Sequence, residues 1–308
     1  MSDAAFFPGT VATVNALLAH HPGAEVCVVD NHLQKAGLSD AQRGTLEKAG
    51  VRIVRAEALA RPGRKLAAWE LKAYAAADLH DGYDVLAGHD SDCVLCGPMD
   101  DVAAAARETG AFHGGKDRPP PYDETYRVYG IEPPAWNERY FSTSLYVCSL
   151  SEANRRVLVR WAECCDRAKF GGGGVYPGHG DQGVLNAVLY AERGERSAQV
   201  LDNRLWSQHG CHWHGRVALR DGGLFNEDAG MPQRSLHCAV RDKFWTTAYR
   251  NHIEKKPQCA PGFAWFLRHL WFGRCAIEPH HLAPEQRHLA ESLVRWRHLV
   301  WECGRAKS

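Results

Sequence analysis

Apolar and polar positions in the first third of the chain alternate between two periods. Val11 to Leu18 carries apolar side chains at helical spacing, and Glu25-Val26-Cys27-Val28-Val29-Asp30 reads as a buried strand. Ser39-Asp40-Ala41-Gln42 has the spacing of a capping box, and Gly50 stands where the helix it opens should stop. Val51-Arg52-Ile53-Val54 is a short strand. Arg64 to His80 reads as a helix with Leu66, Trp69, Ala73, Tyr74 and Ala77 along it, ended by Gly82. Val85-Leu86-Ala87 is the next strand, and Pro98, at a first helical position ahead of Asp100 and Asp101, opens a helix toward Gly110. Strands alternating with helices predict an α/β fold, a Rossmann-like mainly parallel sheet with helices on both faces.

Beyond Gly110 the pattern weakens. Ala111 to Arg139 is rich in Pro, Gly and charge, which predicts a surface excursion with little regular structure. Ser144 to Leu150 is a strand, and Ser151 caps a helix through about Ala168. Gly171 to Gly174 is a loop of permissive backbone, and Gly180-Asp181-Gln182-Gly183 reads as a loop, a capping Asp and a new helix. After Leu201 the pattern stays irregular until Arg234-Ser235-Leu236-His237. The tail from Gly262 sets Trp265, Phe266, Trp271, Phe272, Trp296 and Trp301 among Arg and His residues. It reads as a packed C-terminal helix pair, or as an amphipathic segment in peripheral contact with a membrane surface.

Composition narrows the class. With 308 residues, 45% hydrophobic and 24% charged, the chain can bury a large core. A formal net charge of +1 gives no global attraction for nucleic acid. No apolar run approaches a membrane span, and MSDAAFFPGT lacks the features of a signal peptide. Eleven cysteines, an odd number, read as reduced thiols, so a cytoplasmic location is expected.

Candidate chemistry starts where the Val85 strand ends, at Asp90-Ser91-Asp92. Ligands of α/β sheets gather beyond the carboxyl ends of strands, and Mg²⁺ or Mn²⁺ prefers oxygen ligands shared with substrate phosphates. The bland reading is a turn whose acids face water. His237 could equally be an ordinary histidine, Asp181 only a helix cap worth about 1 kcal/mol, and Lys72 and Lys243 solvated surface residues. Cys93-Val94-Leu95-Cys96 lacks a second Cys pair, whereas His209, Cys211, His212 and His214 have the look of a soft-metal cluster.

Several segments, taken in order, resemble the glycogenin-like retaining GT-A glycosyltransferases (family 8). LAGHDSDCVLCGPMDDV is similar to the family's D-x-D segment, GHGDQGVLNAVL to its D-Q-G/D-x-L-N segment and SLHCAVRDKFW to its H-F-x-G-x-x-K-P-W segment. ELKAYAAADL matches its Lys-bearing helix and FFPGTVATVNALLAHHP its first helix. The resemblance implies a GT-A domain over residues 1–250, with a nucleotide-sugar part to about 110 and an acceptor part from 111, then a helical tail over 251–308. It implies that Asp90, Asp92 and His237 bind Mn²⁺ or Mg²⁺, with Asp90 and Ser91 also toward the nucleotide. Lys72 would contact sugar and phosphate, Lys243 the diphosphate, Asp181 the sugar hydroxyls, and Gln182 would face the anomeric carbon. The implied partners are a UDP-sugar donor and a hydroxyl-bearing acceptor, and the His209 to His214 stretch would then line the acceptor pocket.

The chain also departs from the family. Ser142-Thr143-Ser144 stands where relatives show Asn-Ala/Ser-Gly, Val240 replaces a glycine, and Phe244 a proline. The family's first strand should precede Ser2-Asp3-Ala4, where only Met1 stands, so either the true start is upstream or the nucleotide site lacks one wall. These differences keep a second expectation in view, a non-catalytic nucleotide-sugar-binding protein, and the Cys/His content a third, a zinc-stabilised interaction protein.

Overall fold

The computed structural model describes residues 2–32, 36–61, 71–79, 81–117, 139–167, 180–206, 208–209, 215–239 and 242–305. The first half runs α1 (Phe7–His20), β1 (Cys27–Asp30), α2 (Asp40–Lys48), β2 (Arg52–Arg55), α3 (Leu71–Asp78), β3 (Val85–His89), β4 (Cys93–Leu95), α4 (Asp100–Thr109), β5 (Phe112–Lys116) and β6 (Phe141–Ser149). Then come α5 (Glu152–Arg167), α6 (Gly180–Arg193), β7 (Ala198–Leu201), β8 (Gln208–His209), β9 (Val217–Arg220), β10 (Gly223–Asn226), β11 (Met231–Pro232) and β12 (Ser235–His237). Four helices close the chain, α7 (Thr247–Lys255), α8 (Ala260–Trp271), α9 (His288–Arg295) and α10 (Arg297–Glu302).

Strands β3, β6, β5 and β7 lie side by side in that order. β6 runs against both neighbours and β5 runs with β7, so three of the four strands point the same way. β1 and β2 pair in parallel, and Ser2 bridges to Asp30 in the same sense. β6 is buried along its whole length because both sheet faces are covered. Its alternate residues divide between two cores: Leu145 and Val147 join α1, α4 and α8, while Tyr146 and Cys148 join α3, α5 and α6. This is the mixed α/β layering that the strand and helix alternation predicts.

Local signals explain most element ends. Ser39 and Gln42 form both halves of the capping box at the start of α2, and Asn154 donates its backbone N–H to Ser151 Oγ at 3.3 Å at the start of α5. Other expectations shift. Helix α4 begins at Asp100 with Met99 as its cap, so Pro98 lies outside the first turn; the Met99 N–H donates to His21 Nε2 at 3.0 Å. Helix α6 already includes Gly180, which puts Asp181 inside its first turn instead of at the cap. The stretch expected to be an excursion opens with β5, buried between β6 and β7. The stretch after Leu201 contains the β9-β10-β11 sheet, turned at Asp221 and Gly222, both with positive φ. Residues 118–138, the Gly171 to Gly174 loop, Val240, Cys211, His212 and His214 lie outside the described residues, as do residues 64–70 of the expected helix and the His209 side chain.

The tail packs into the same core as the first helix. Phe263, Phe266, Leu267 and Leu270 of α8 are fully buried with Phe7, Val11 and Val14 of α1. Trp265 Nε1 donates to Leu95 O at 2.8 Å, and Asn15 Nδ2 donates to His269 O at 2.7 Å. Among the described residues no helix is long and apolar enough to cross a membrane, and no disulfide joins the ten described cysteines.

Candidate active site

Asp90-Ser91-Asp92 is the connection between β3 and β4, the point where the chain leaves one sheet for another. Its backbone is held on three sides. The Asp90 N–H donates to Ser144 O on β6 at 2.8 Å, and the Cys238 N–H donates to Asp92 O at 2.8 Å. Thr13 Oγ1 on α1 donates to Cys93 O at 2.9 Å and to Ser91 O at 3.3 Å. Helix α1 comes this close only because residue 9 is glycine; a Cβ there would lie 2.4 Å from the Ser91 carbonyl oxygen and 2.3 Å from the Trp245 ring.

Strand register then delivers the imidazole. β12 pairs antiparallel with β4 so that His237 stands opposite Cys93, one residue from Asp92. His237 Nε2 lies 3.4 Å from Asp92 Oδ1. One ligand atom from each of Asp90, Asp92 and His237 falls within 4.8 Å of the others, the one such cluster among the described residues. Two carboxylates and an imidazole suit a borderline-hard divalent ion such as Mn²⁺. Ser91 lies between the acids and is itself buried.

Two lysines flank the acids. Lys72, from α3, places Nζ 2.6 Å from Asp90 Oδ1 and 3.7 Å from Asp181 Oδ2, and donates to Thr143 O at 3.0 Å. Lys243 donates to Asp92 Oδ2 at 2.5 Å and to Cys238 O at 2.7 Å, with the Phe6 ring centroid 5.9 Å away. Burial disfavours the Lys72 ammonium, but Asp90 and Asp181 outweigh it and hold its pKa above the ordinary lysine value. Burial would raise Asp92, yet His237 and Lys243 hold it well below the usual carboxylate range. Burial pushes the Asp181 carboxyl up, with Lys72 opposing. His89, whose Nδ1 lies 3.0 Å from Asp90 O, is lowered to about 4 by burial.

Asp181 and Gln182 sit side by side in the first turn of α6. Trp161 Nε1 donates to Asp181 O at 3.0 Å and fixes that turn against α5. The Gln182 amide is oriented by two groups of one-way chemistry, the Thr143 N–H donating to Oε1 at 3.1 Å and Asp117 Oδ2 accepting from Nε2 at 3.0 Å, with Tyr140 Oη 3.3 Å from Nε2. The main chain of Thr143 therefore holds Gln182 through its N–H and Lys72 through its carbonyl. Asn186, one turn along α6, exchanges hydrogen bonds with both backbone groups of Phe141 and pins α6 to β6.

The structure thus gathers Lys72, Asp90, Ser91, Asp92, His237 and Lys243 around one point, and Lys72 links that group to Asp181. Asp117 and Tyr140 have no counterpart among the residues expected from sequence, and Thr143 stood there only as part of the Ser142-Thr143-Ser144 departure from the family pattern.

With this geometry in place, the chain can be compared with known proteins. No protein-family model matches it, and neither does any curated protein sequence. Solved structures do match. The bifunctional glycosyltransferase WbbM, in its apo form, superposes with a TM-score of 0.57 at 13% identity, over 94% of this chain. The chain spans about half of WbbM, 50% of its length. The galactosyltransferase LgtC, in complex with donor and acceptor sugar analogues, superposes with a TM-score of 0.50 at 14% identity, over 84% of this chain and 93% of LgtC. An active-site mutant of LgtC gives 0.52 at 12% identity, over 85% of this chain and 94% of that one. The fold is a GT-A glycosyltransferase fold. At these identities the likeness covers architecture, and the chemistry rests on the chain's own residues.

Proposed function

We propose that the chain is a metal-dependent, retaining glycosyltransferase, in the manner of the glycogenin-like family, that moves a sugar from a UDP-linked donor to a hydroxyl-bearing acceptor in a cytoplasmic setting. One observation carries the reading: on a GT-A fold, Asp90, Asp92 and His237 converge to within 4.8 Å from two distant parts of the chain. Their oxygen and nitrogen donors would hold Mn²⁺ or Mg²⁺, which when bound offsets charge on a departing diphosphate. Lys72 and Lys243 would donate to the diphosphate oxygens as the glycosidic bond breaks, and preorganised donors of this kind stabilise developing charge. Asp90 and Ser91 would face the nucleotide side and Asp181 the sugar hydroxyls. Gln182, with its amide already oriented, would present a fixed dipole to the anomeric carbon. Front-side attack requires no enzyme base, because the leaving phosphate oxygen can take the acceptor hydroxyl proton.

The test is a screen of UDP-sugars with Mn²⁺, without acceptor, read as released UDP and repeated with a chelator. Release from at least one donor, lost with chelator, is expected. Binding by calorimetry without release from any donor would leave a nucleotide-sugar-binding protein, a reading to which Ser142-Thr143-Ser144 lends some support. Neither binding nor release would end both.

A further inference from the structure

Neither acid of the D-x-D turn stands bare. Lys72 Nζ is 2.6 Å from Asp90 Oδ1, and Lys243 Nζ is 2.5 Å from Asp92 Oδ2. The two ammonium groups come from separate elements, α3 and the segment after β12, and each is steadied by a main-chain carbonyl, Thr143 O at 3.0 Å and Cys238 O at 2.7 Å. Their side chains are 12% and 18% exposed, so water screens these contacts poorly. Both carboxylates that a divalent ion would use are thus already paired with the chain's own cations, although the Asp92 oxygen facing His237 is Oδ1 and the one Lys243 holds is Oδ2.

A divalent ion arriving alone must share both carboxylates with ammonium groups and sit beside those positive charges. A diphosphate arriving alone meets the lysines but also the Asp90, Asp92 and Asp181 carboxylates. Together the two ligands remove both conflicts. The ion takes the carboxylates, and the ammonium groups, which can only donate, turn to the phosphate oxygens. We propose that Lys72 and Lys243 act as built-in counter-cations, so that the acid pair takes up a divalent ion tightly only in company with a diphosphate-bearing ligand. This rests on reading Asp90, Asp92 and His237 as the cation site. It adds that the site's true ligand is the ion and the diphosphate as one unit, with a coupling that must be equal in both directions.

The experiment measures Mn²⁺ binding to the purified chain by electron paramagnetic resonance of the free ion, with and without saturating UDP, against protein-free UDP blanks. Calorimetry of UDP with and without Mn²⁺ gives the reciprocal factor. In the unmodified chain UDP should tighten Mn²⁺ binding about tenfold or more, and Mn²⁺ should tighten UDP by the same factor. Lys243→Met should tighten Mn²⁺ binding in the absence of UDP and shrink the factor, whereas Lys243→Arg should largely keep it. Lys72→Met supplies a second variant should Lys243→Met fold poorly. Equal Mn²⁺ affinity with and without UDP overturns the proposal, as does a factor unchanged in both Met variants, and each leaves the cation site standing. No Mn²⁺ binding under either condition removes the site itself, and with it both this proposal and the transferase reading.

Discussion

Asp117 accepts a hydrogen bond from the side-chain amide of Gln182, Oδ2 to Nε2 at 3.0 Å. With the Thr143 N–H on the opposite end of that amide, the two contacts leave Gln182 a single orientation. If Gln182 faces the reacting carbon, Asp117 is a positioning residue. Asp117→Ala should lower kcat about tenfold to a hundredfold with little change in donor KM, because misplacement of a reacting group is costly. Asp117→Asn, whose amide oxygen still accepts, should recover most of the loss. An Asn variant as impaired as the Ala variant would count against an orienting role.

Asp92 is the acid that stands beside His237, Oδ1 to Nε2 at 3.4 Å. Asp92→Asn should cut chelator-sensitive UDP release by about a thousandfold or more while circular dichroism shows an unchanged fold. The same carboxylate bears on acid stability. Its folded pKa is depressed, burial being outweighed by His237 and Lys243, so its stabilisation is full above the ordinary value of 3.8 and is lost as pH falls below it. Melting curves of Asp92→Asn should therefore show a shallower decline below about pH 4.

A second pH effect comes from a histidine outside the candidate site. His269 is 4% exposed in the α1–α8 interface, and burial lowers its pKa from 6.5 to about 3. The unfolded chain gains a proton below about pH 6.5 that the native chain refuses, so stability falls as pH drops through that window. The loss should be on the order of 2–3 kcal/mol between pH 6.5 and 4.5. His269→Gln should flatten this part of the melting profile, and an unaltered slope would contradict the assignment.

Asn15 ties the first helix to the tail. Its amide donates to His269 O at 2.7 Å and Cys275 O at 3.3 Å and accepts the Cys275 N–H at 2.8 Å. Asn15→Ala should cost about 2 kcal/mol by leaving buried backbone groups unsatisfied. Denaturant titration should show one transition at a lower midpoint. Two separate transitions would mean that the tail unfolds independently of α1.

Much of this was legible in the sequence wherever a short-range rule operated. The capping box at Ser39 and Gln42 and the alternation of strand and helix required no tertiary information. Strand β5 escaped because Gly114-Gly115 reads as a loop, and only contact with β6 and β7 makes it a strand. The β9–β10 hairpin carries a local signal, Asp221-Gly222 between two short apolar runs, and both residues adopt the positive φ that such a turn requires. In the candidate site, Asp90, Asp92, His237 and both lysines were implied by the resemblance to the glycogenin-like family, and their own spacing left the bland readings open. The roles of Asp117 and Tyr140 lie in contacts to Gln182 across long chain separations, which no spacing rule encodes.

At Thr143 the grip on Lys72 and Gln182 is exerted by main-chain atoms. A saturation scan at that position would report tolerance to many small replacements, proline excepted, since every other residue supplies the same N–H and carbonyl. Functional importance here is invisible to side-chain deletion, and backbone chemistry such as an ester in place of the amide would be needed to expose it.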